Sequence, residues 1–407
     1  MARAPSLALA VLLWAAASQA HAEVPECPPV EPGAELSAEA SPDGAAASVL
    51  LILPKGAEGA ISTEGLELGA GAHVVESRFS PLMCATVVRI EGSAGASPAS
   101  LIVSLPERAA AVQDDIYTPE GAPAVGSAES AAQAHGDPYR KQQWGHDALG
   151  IDAAYAVTRG EGARVAVLDT RANEKHEELH AMRVVGSATD SAGQHGTLVA
   201  GIIAAEQGNG VGIAGIAPRA SLVSVPVCEP TSRGDTCRLY AVLGGLDTAW
   251  GERAQIVNVS LVGPPNRALE RAVRRLDTLG VAIVAASGNR ASATPAYPAA
   301  YPWVIGVAAT DRSRHLAPTG PVVDLTAPGI EIVSTAANGG YAFASGSSLA
   351  AAHASGALAL LTAASGGDVA RARLALFGAA KRGGPNAPPA LAPLCDALAR
   401  LGKPCPR

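Results

Sequence analysis

Aromatic side chains make up only 3% of this chain, and Asp, Glu, Lys and Arg together only 16%. Any core must therefore be packed from aliphatic and small side chains, which favours helices and strands that approach one another closely. The net charge is −7 with both signs scattered along the chain. No basic stripe is available to follow a phosphate backbone, so nucleic acid is not an expected partner. Cysteines in Cys-x-x-Cys spacing are missing, as are paired histidines, which removes the usual zinc reading.

At the N-terminus, MARAPSLALAVLLWAAASQAHA sets Arg3 before an apolar run from about Leu7 to Ala17 and ends on Ala20-His21-Ala22. The run is shorter than the roughly 20 residues that cross a bilayer, and small residues stand at both recognition positions of a signal peptidase. Residues 1–22 are expected to be a signal peptide cut before Glu23, giving a secreted or periplasmic protein with no stable membrane anchor. Six cysteines, Cys27, Cys84, Cys228, Cys237, Cys395 and Cys405, suit an oxidising compartment. Sequence alone leaves their pairing open. Proximity favours Cys228 with Cys237 and Cys395 with Cys405, leaving Cys27 for Cys84.

A chain of 407 residues has room for an enzyme core and an accessory unit. Residues 23–47 are rich in Pro, Glu, Ala, Ser and Gly and read as a flexible leader; 119–136 has the same character and reads as a linker open to proteolysis. Between them, SVLLILP, HVVESRFS and ATVVRIEG predict strands, and SPASLIVSLPERAAAV predicts helical material, together a small α+β unit over 48–118. From about Trp144 the pattern changes. RVAVLD, ASLVSVPV, QIVNVSL, VAIVAAS and WVIGVAAT are nearly continuous aliphatic runs, as expected of strands buried on both faces. NRALERAVRRLDTLG carries Leu269, Ala272, Val273 and Leu276 on one helical face. Alternating strands and helices predict an α/β domain with a mostly parallel sheet in three layers, with ligand chemistry beyond the carboxyl ends of the strands.

Three polar residues stand where that geometry presents its rim: Asp169 closes RVAVLD, Asn289 follows VAIVAAS, and His195 opens HGTLVAGIIAAE. Ser348 lies in SGSSLAAAHASGALALL, at the start of an Ala/Leu helix. A hydroxyl becomes a competent nucleophile when a neighbouring base takes its proton, which His195 does if Asp169 fixes its tautomer. Asn289 then offers a side-chain donor to the developing oxyanion. Singly, an Asp at a strand end is a cap and a Ser in a small-residue helix is packing; the four together carry the chemistry.

This arrangement resembles the subtilisin-like serine peptidases, whose triad runs Asp, His, Ser along the chain. VAVLDT, HGTLVAGIIAA, NGVGIAGIAP, QIVNVSL, VAIVAASGN, DLTAPG and GYAFASGSSLAAAHASG follow in the family's order over roughly 137–381, with a C-terminal tail at 382–407. The resemblance implies catalytic Asp169, His195 and Ser348, oxyanion Asn289, and a substrate-flanking strand at Ser260, Leu261 and Val262. It also implies protein or peptide substrates, no catalytic cofactor, a monomer, and a pro-segment that inhibits its own enzyme until removed within 119–136. Calcium commonly stabilises the family; the loop Gln207–Gly212 corresponds to one binding region, but no ligand set is assigned. Departures are Arg171, Gln194, Leu198, Ser347, Leu349, Ala352 and Val262, the last where Gly is usual in the substrate-flanking strand. A non-catalytic binding or inhibitory relative is the alternative they raise. His176 and His353 match structural positions, and Arg290 is expected to disfavour basic side chains at the cleaved residue.

Overall fold

The computed structural model describes residues 30–37, 46–54, 66–106, 108–119, 136–186, 191–232, 234–382 and 387–406. The expected signal peptide, Cys27 and all but the two ends of the expected linker lie outside the described residues.

The five aliphatic runs form strands of one sheet: β1 (Arg164–Asp169), β3 (Ser221–Pro226), β4 (Ile256–Val259), β5 (Ala282–Ala286) and β6 (Val304–Thr310). Short strands β2 (Arg183–Val184), β7 (Leu325–Pro328), β8 (Lys381–Arg382) and β9 (Pro389–Ala390) complete it in the order 2-3-1-4-5-6-7-9-8. All pairs are parallel except β8 with β9. Strands buried on both faces need helices on both sides. On one side lie α1 (Gln194–Ala204), α4 (Ser347–Ala364), α5 (Val369–Ala379) and α6 (Leu394–Arg400); on the other lie α2 (Leu239–Gly251) and α3 (Arg267–Thr278). This is the expected three-layer α/β architecture.

Two helices show how sequence pattern selects environment. In α3, Leu269, Ala272, Val273 and Leu276 are all buried as their spacing predicts, each large aliphatic side chain contributing roughly 1.5–3 kcal/mol. Asn266 caps the helix by accepting from the Ala268 N–H at 2.9 Å. By contrast, α4 is apolar all round and long enough to cross a membrane, yet it is buried at the protein's centre. Its Gly356 lies where a Cβ would come within 2.6 Å of Ile216, so the small residue sets a close approach.

The N-terminal unit is a five-stranded sheet ordered Gly33–Glu35, Ala110–Gln113, Ala46–Pro54, Ala85–Ala94, His73–Ser80. One face, with Leu50, Ile52, Val87, Ala110 and Val112, shares a core with Leu243 and Leu246 of α2 and Ala272 of α3. The other packs Val49, Leu51, Val88 and Ile90 against Leu101. Two expectations need correction. The helix predicted within SPASLIVSLPERAAAV is a single 3-10 turn, Pro98–Leu101, because β-branched Ile102 and Val103 and the missing N–H of Pro106 favour extended chain. Part of the leader, Gly33–Glu35, is a strand paired parallel with Ala110–Val112. Ladder hydrogen bonds need no bulky side chain, so composition could not reveal it.

Polar contacts fix this sheet to the larger domain. Asp114 accepts from Ser48 Oγ at 2.9 Å and from the Tyr240 N–H in the first turn of α2 at 2.9 Å. On α2, Asp247 accepts from Arg78 Nη1 at 2.5 Å, Ser80 Oγ at 2.9 Å and the Leu82 N–H at 3.2 Å. Disulfides join Cys228 to Cys237 and Cys395 to Cys405 as proximity suggested. Cys84 is disulfide-bonded too.

Candidate active site

The strand order reverses at β1, which lies between β3 and β4, the kind of switch point at whose carboxyl strand ends α/β sheets place their ligand chemistry. Asp169 is the last residue of β1 and is fully buried. Its carboxylate accepts the Thr170 N–H at 2.7 Å, and both its oxygens lie 2.8 Å from His195 Nδ1. With Nδ1 thus engaged as a donor, Nε2 is the ring nitrogen turned away from Asp169. His195 enters from the first turn of α1, held by the next residue: the Gly196 N–H donates to Thr170 Oγ1 at 2.8 Å. A Cβ on Gly196 would meet the Thr170 carbonyl at 2.0 Å, so only glycine permits this approach.

Ser348 is the second residue of α4 and is fully buried; its Oγ donates to the Ser260 carbonyl at 3.4 Å. Ser260 directly follows β4 and donates from its own hydroxyl to Asn258 Oδ1 at 2.9 Å, while Asn258 Nδ2 donates to Ser355 Oγ at 3.0 Å. A polar thread therefore ties β4 to the middle of α4. Asn289, three residues past β5, accepts the Ser347 N–H through Oδ1 at 2.7 Å. A backbone donor needs the amide oxygen, which leaves the Nδ2 donor on the side away from Ser347.

Beside this rim a four-stranded sheet runs in the order Glu229–Thr231, Gly234–Arg238, Ile116–Pro119, Leu261–Val262. The chain's own residues 116–119 are thus an inserted antiparallel strand: Pro119 faces Leu261, Thr118 faces Val262 and Tyr117 faces Cys237. Tyr117 is fully buried and its hydroxyl donates to the Pro264 carbonyl at 3.0 Å. A Cβ on Gly263 would meet its ring at 2.3 Å, so this glycine makes the hole it fills. Burial pushes the Tyr117 hydroxyl pKa up. Sequence reasoning missed both the insertion and Tyr117; the β-prone Ile116-Tyr117-Thr118 was the available signal.

Most departures from the family pattern are taken up by structural contacts. Arg171 pairs with Glu174 at 2.5 Å, Gln194 Oε1 accepts the Ala337 N–H at 3.0 Å, and Leu198, Leu349 and Ala352 are core residues. Val262 is half-buried against the inserted strand, and Arg290 is exposed. His176 Nε2 lies 2.8 Å from the Gly340 carbonyl and its Nδ1 accepts the Glu178 N–H at 3.2 Å. His353 lies 2.8 Å from the Leu349 carbonyl, with burial driving its pKa down to about 4.

At the loop expected as a calcium region, Gln207–Gly212, the oxygens of Glu178 and Asn209 are engaged by protein donors. Glu178 Oε1 accepts from the Ile213 N–H at 2.7 Å and from the Tyr341 hydroxyl at 3.0 Å, and Oε2 accepts from Asn209 Nδ2 at 3.0 Å. Asn209 Oδ1 accepts the Val211 N–H at 3.0 Å. Burial pushes the Glu178 pKa up to about 7.

A doubly wound parallel sheet carrying a buried Asp–His pair and a helix-start serine at one rim defines the class of α/β serine hydrolases. The model of the subtilase family matches residues 160–375. Thermitase of Thermoactinomyces vulgaris is 37% identical over 238 residues, covering 55% of this chain and 84% of thermitase. Subtilisin BL of Lederbergia lenta is 37% identical over 228 residues, covering 54% of this chain and 83% of that protein. Minor extracellular protease Epr of Bacillus subtilis is 38% identical over 232 residues, 54% of this chain but 35% of Epr. The crystal structure of fervidolysin from Fervidobacterium pennivorans aligns with a TM-score of 0.70 at 23% identity, over 90% of this chain and 62% of that one, a likeness of fold. The chain belongs to the subtilase family, whose members are serine endopeptidases needing no catalytic cofactor.

Proposed function

We propose that this chain is an exported serine endopeptidase made as a self-blocked precursor, with Ser348 as nucleophile, His195 as general base and acid, and Asp169 orienting His195. In this reading His195 Nε2 takes the Ser348 proton as Oγ attacks the substrate carbonyl. The oxyanion then forms beside Asn289 Nδ2 and the start of α4, a donor whose removal typically costs roughly 3–4 kcal/mol of activation energy. His195 returns the proton to the leaving amine, and water repeats the sequence on the acyl-enzyme.

The observation that carries the reading is the double 2.8 Å contact of His195 Nδ1 with a fully buried Asp169 at the rim that also bears Ser348 and Asn289. Such a contact fixes the tautomer the chemistry needs. The inserted strand Ile116–Pro119 supports the precursor state, since it pairs with Leu261 and Val262 as an extended substrate would. Export rests on the first 22 residues and on the disulfides.

A fluorophosphonate probe tests this. Processed protein lacking residues 1–136 is expected to be labelled, and Ser348→Ala is expected to be silent. Silence of both, with both folded, would leave a non-catalytic binding protein.

A further inference from the structure

The strand Gly234–Arg238 carries an acidic residue, Asp235, whose place relative to the rim is set by two independent ties. Cys237 is bonded to Cys228, and Cys228 directly follows Val227, whose N–H donates to the Asp169 carbonyl at 2.9 Å. The strand is thus stapled to the end of β1. On its other side it pairs with the inserted segment, Arg238 facing Ile116 and Cys237 facing Tyr117. The Leu239 N–H donates to the Asp115 carbonyl at 2.9 Å, in the same antiparallel phase.

Continuing that register by two residues sets Asp235 opposite Pro119. Alternation puts the two on one face of the ladder, the face to which Cys237 and Tyr117 also belong. The ladder stops there because Pro119 has no N–H to donate. Asp235 is half-buried, and the charges it senses are those of the reaction rim: burial and Asp169 push its carboxyl pKa up, and His195 pulls it down. Arg238 lies on the opposite face, 3.9 Å from Asp114, and does not neutralise it. Among the described residues Asp235 has no ion-pair partner.

We infer that Asp235 is a specificity-determining residue: it walls the subsite now filled by Pro119 and selects peptides carrying Lys or Arg there. This rests on the peptidase reading above and adds a substrate class to it. A basic side chain at that position faces the Asp235 carboxylate across the ladder, whereas an acidic one meets like charge there. Preference at this subsite is therefore electrostatic and weakens with salt.

Competition against fluorophosphonate labelling of the processed protein tests the inference. The competitors are peptides with the sequence of residues 112–125 carrying Pro119→Lys, Pro119→Leu or Pro119→Glu. The Lys peptide is expected to protect roughly fivefold better than the Leu peptide, and the Leu peptide better than the Glu peptide. Asp235→Asn brings the three together, Asp235→Lys reverses their order, and about 1 M salt shrinks the spread. The ratio is internal to each variant, so a general loss of activity does not mimic it. Labelling with equal protection by all three peptides overturns the inference alone. Absence of labelling at Ser348 overturns it together with the peptidase reading.

Discussion

The two largest sheets among the described residues solve the same problem with unequal means. The nine-stranded parallel sheet is covered on both faces by helices of its own domain, whereas the five-stranded N-terminal sheet borrows one of its covers. Its inner face, with Leu50, Ile52, Val87 and Val112, shares its core with α2 and α3 of the catalytic domain. On the reading proposed above, the larger sheet carries the chemistry and the N-terminal sheet is its cover, and the strand that follows that sheet, Ile116–Pro119, pairs with Leu261 and Val262 beside the rim.

That contrast is most sharply broken at Tyr117. Loss of a fully buried aromatic ring costs about 3–5 kcal/mol, nearly all of it from the hold of residues 116–119 on the groove. Tyr117→Ala is expected to speed fluorophosphonate labelling of the full-length chain by roughly 100-fold or more, with labelling of processed protein unchanged. Equal rates before and after the substitution would mean that the inserted strand does not block the site.

Next in size is Asp247→Ala, which strands the Arg78 guanidinium at the boundary and costs about 3 kcal/mol. In full-length Ser348→Ala protein, amide exchange should rise across Ala46–Pro54 and Ala85–Ala94 while Arg164–Asp169 keeps its protection. If both sheets loosen together, the catalytic sheet depends on its cover and the asymmetry is wrong.

The smallest effect belongs to the catalytic domain itself. The folded-state pKa of Glu178, pushed up to about 7, lies above its ordinary 4.5. Its contribution is therefore complete below about pH 4.5 and lost as pH rises through 7. Thermal melts of processed protein should lose roughly 2 kcal/mol over that interval, discounted for water reaching this surface loop. Glu178→Gln should flatten the profile; an unaltered slope would place the titration elsewhere.

Much of the catalytic domain was legible in the sequence because its signals are strong and local. Continuous aliphatic runs can be buried strands, and the face of α3 follows from four residues at helical spacing. Asp169, His195, Ser348 and Asn289 were readable because each closes or opens such an element. What was not legible depends on pairing. The strand Gly33–Glu35 and the insertion of Ile116–Pro119 are decided by which backbone lies alongside, and composition is silent on that. The place of Asp235 was hidden for the same reason, since only the disulfide and the ladder register bring it to the rim. The loop at Gln207–Gly212 shows the converse: its motif is preserved, but Tyr341, distant in sequence, donates to the carboxylate of Glu178.

The most direct measurement is peptide mapping of processed protein acid-quenched during turnover of an activated ester. The account predicts a single acyl group on Ser348 Oγ, absent from His195→Ala under the same conditions. An acyl group on Ser347 or Ser260 instead, or none while the ester is consumed, would contradict it.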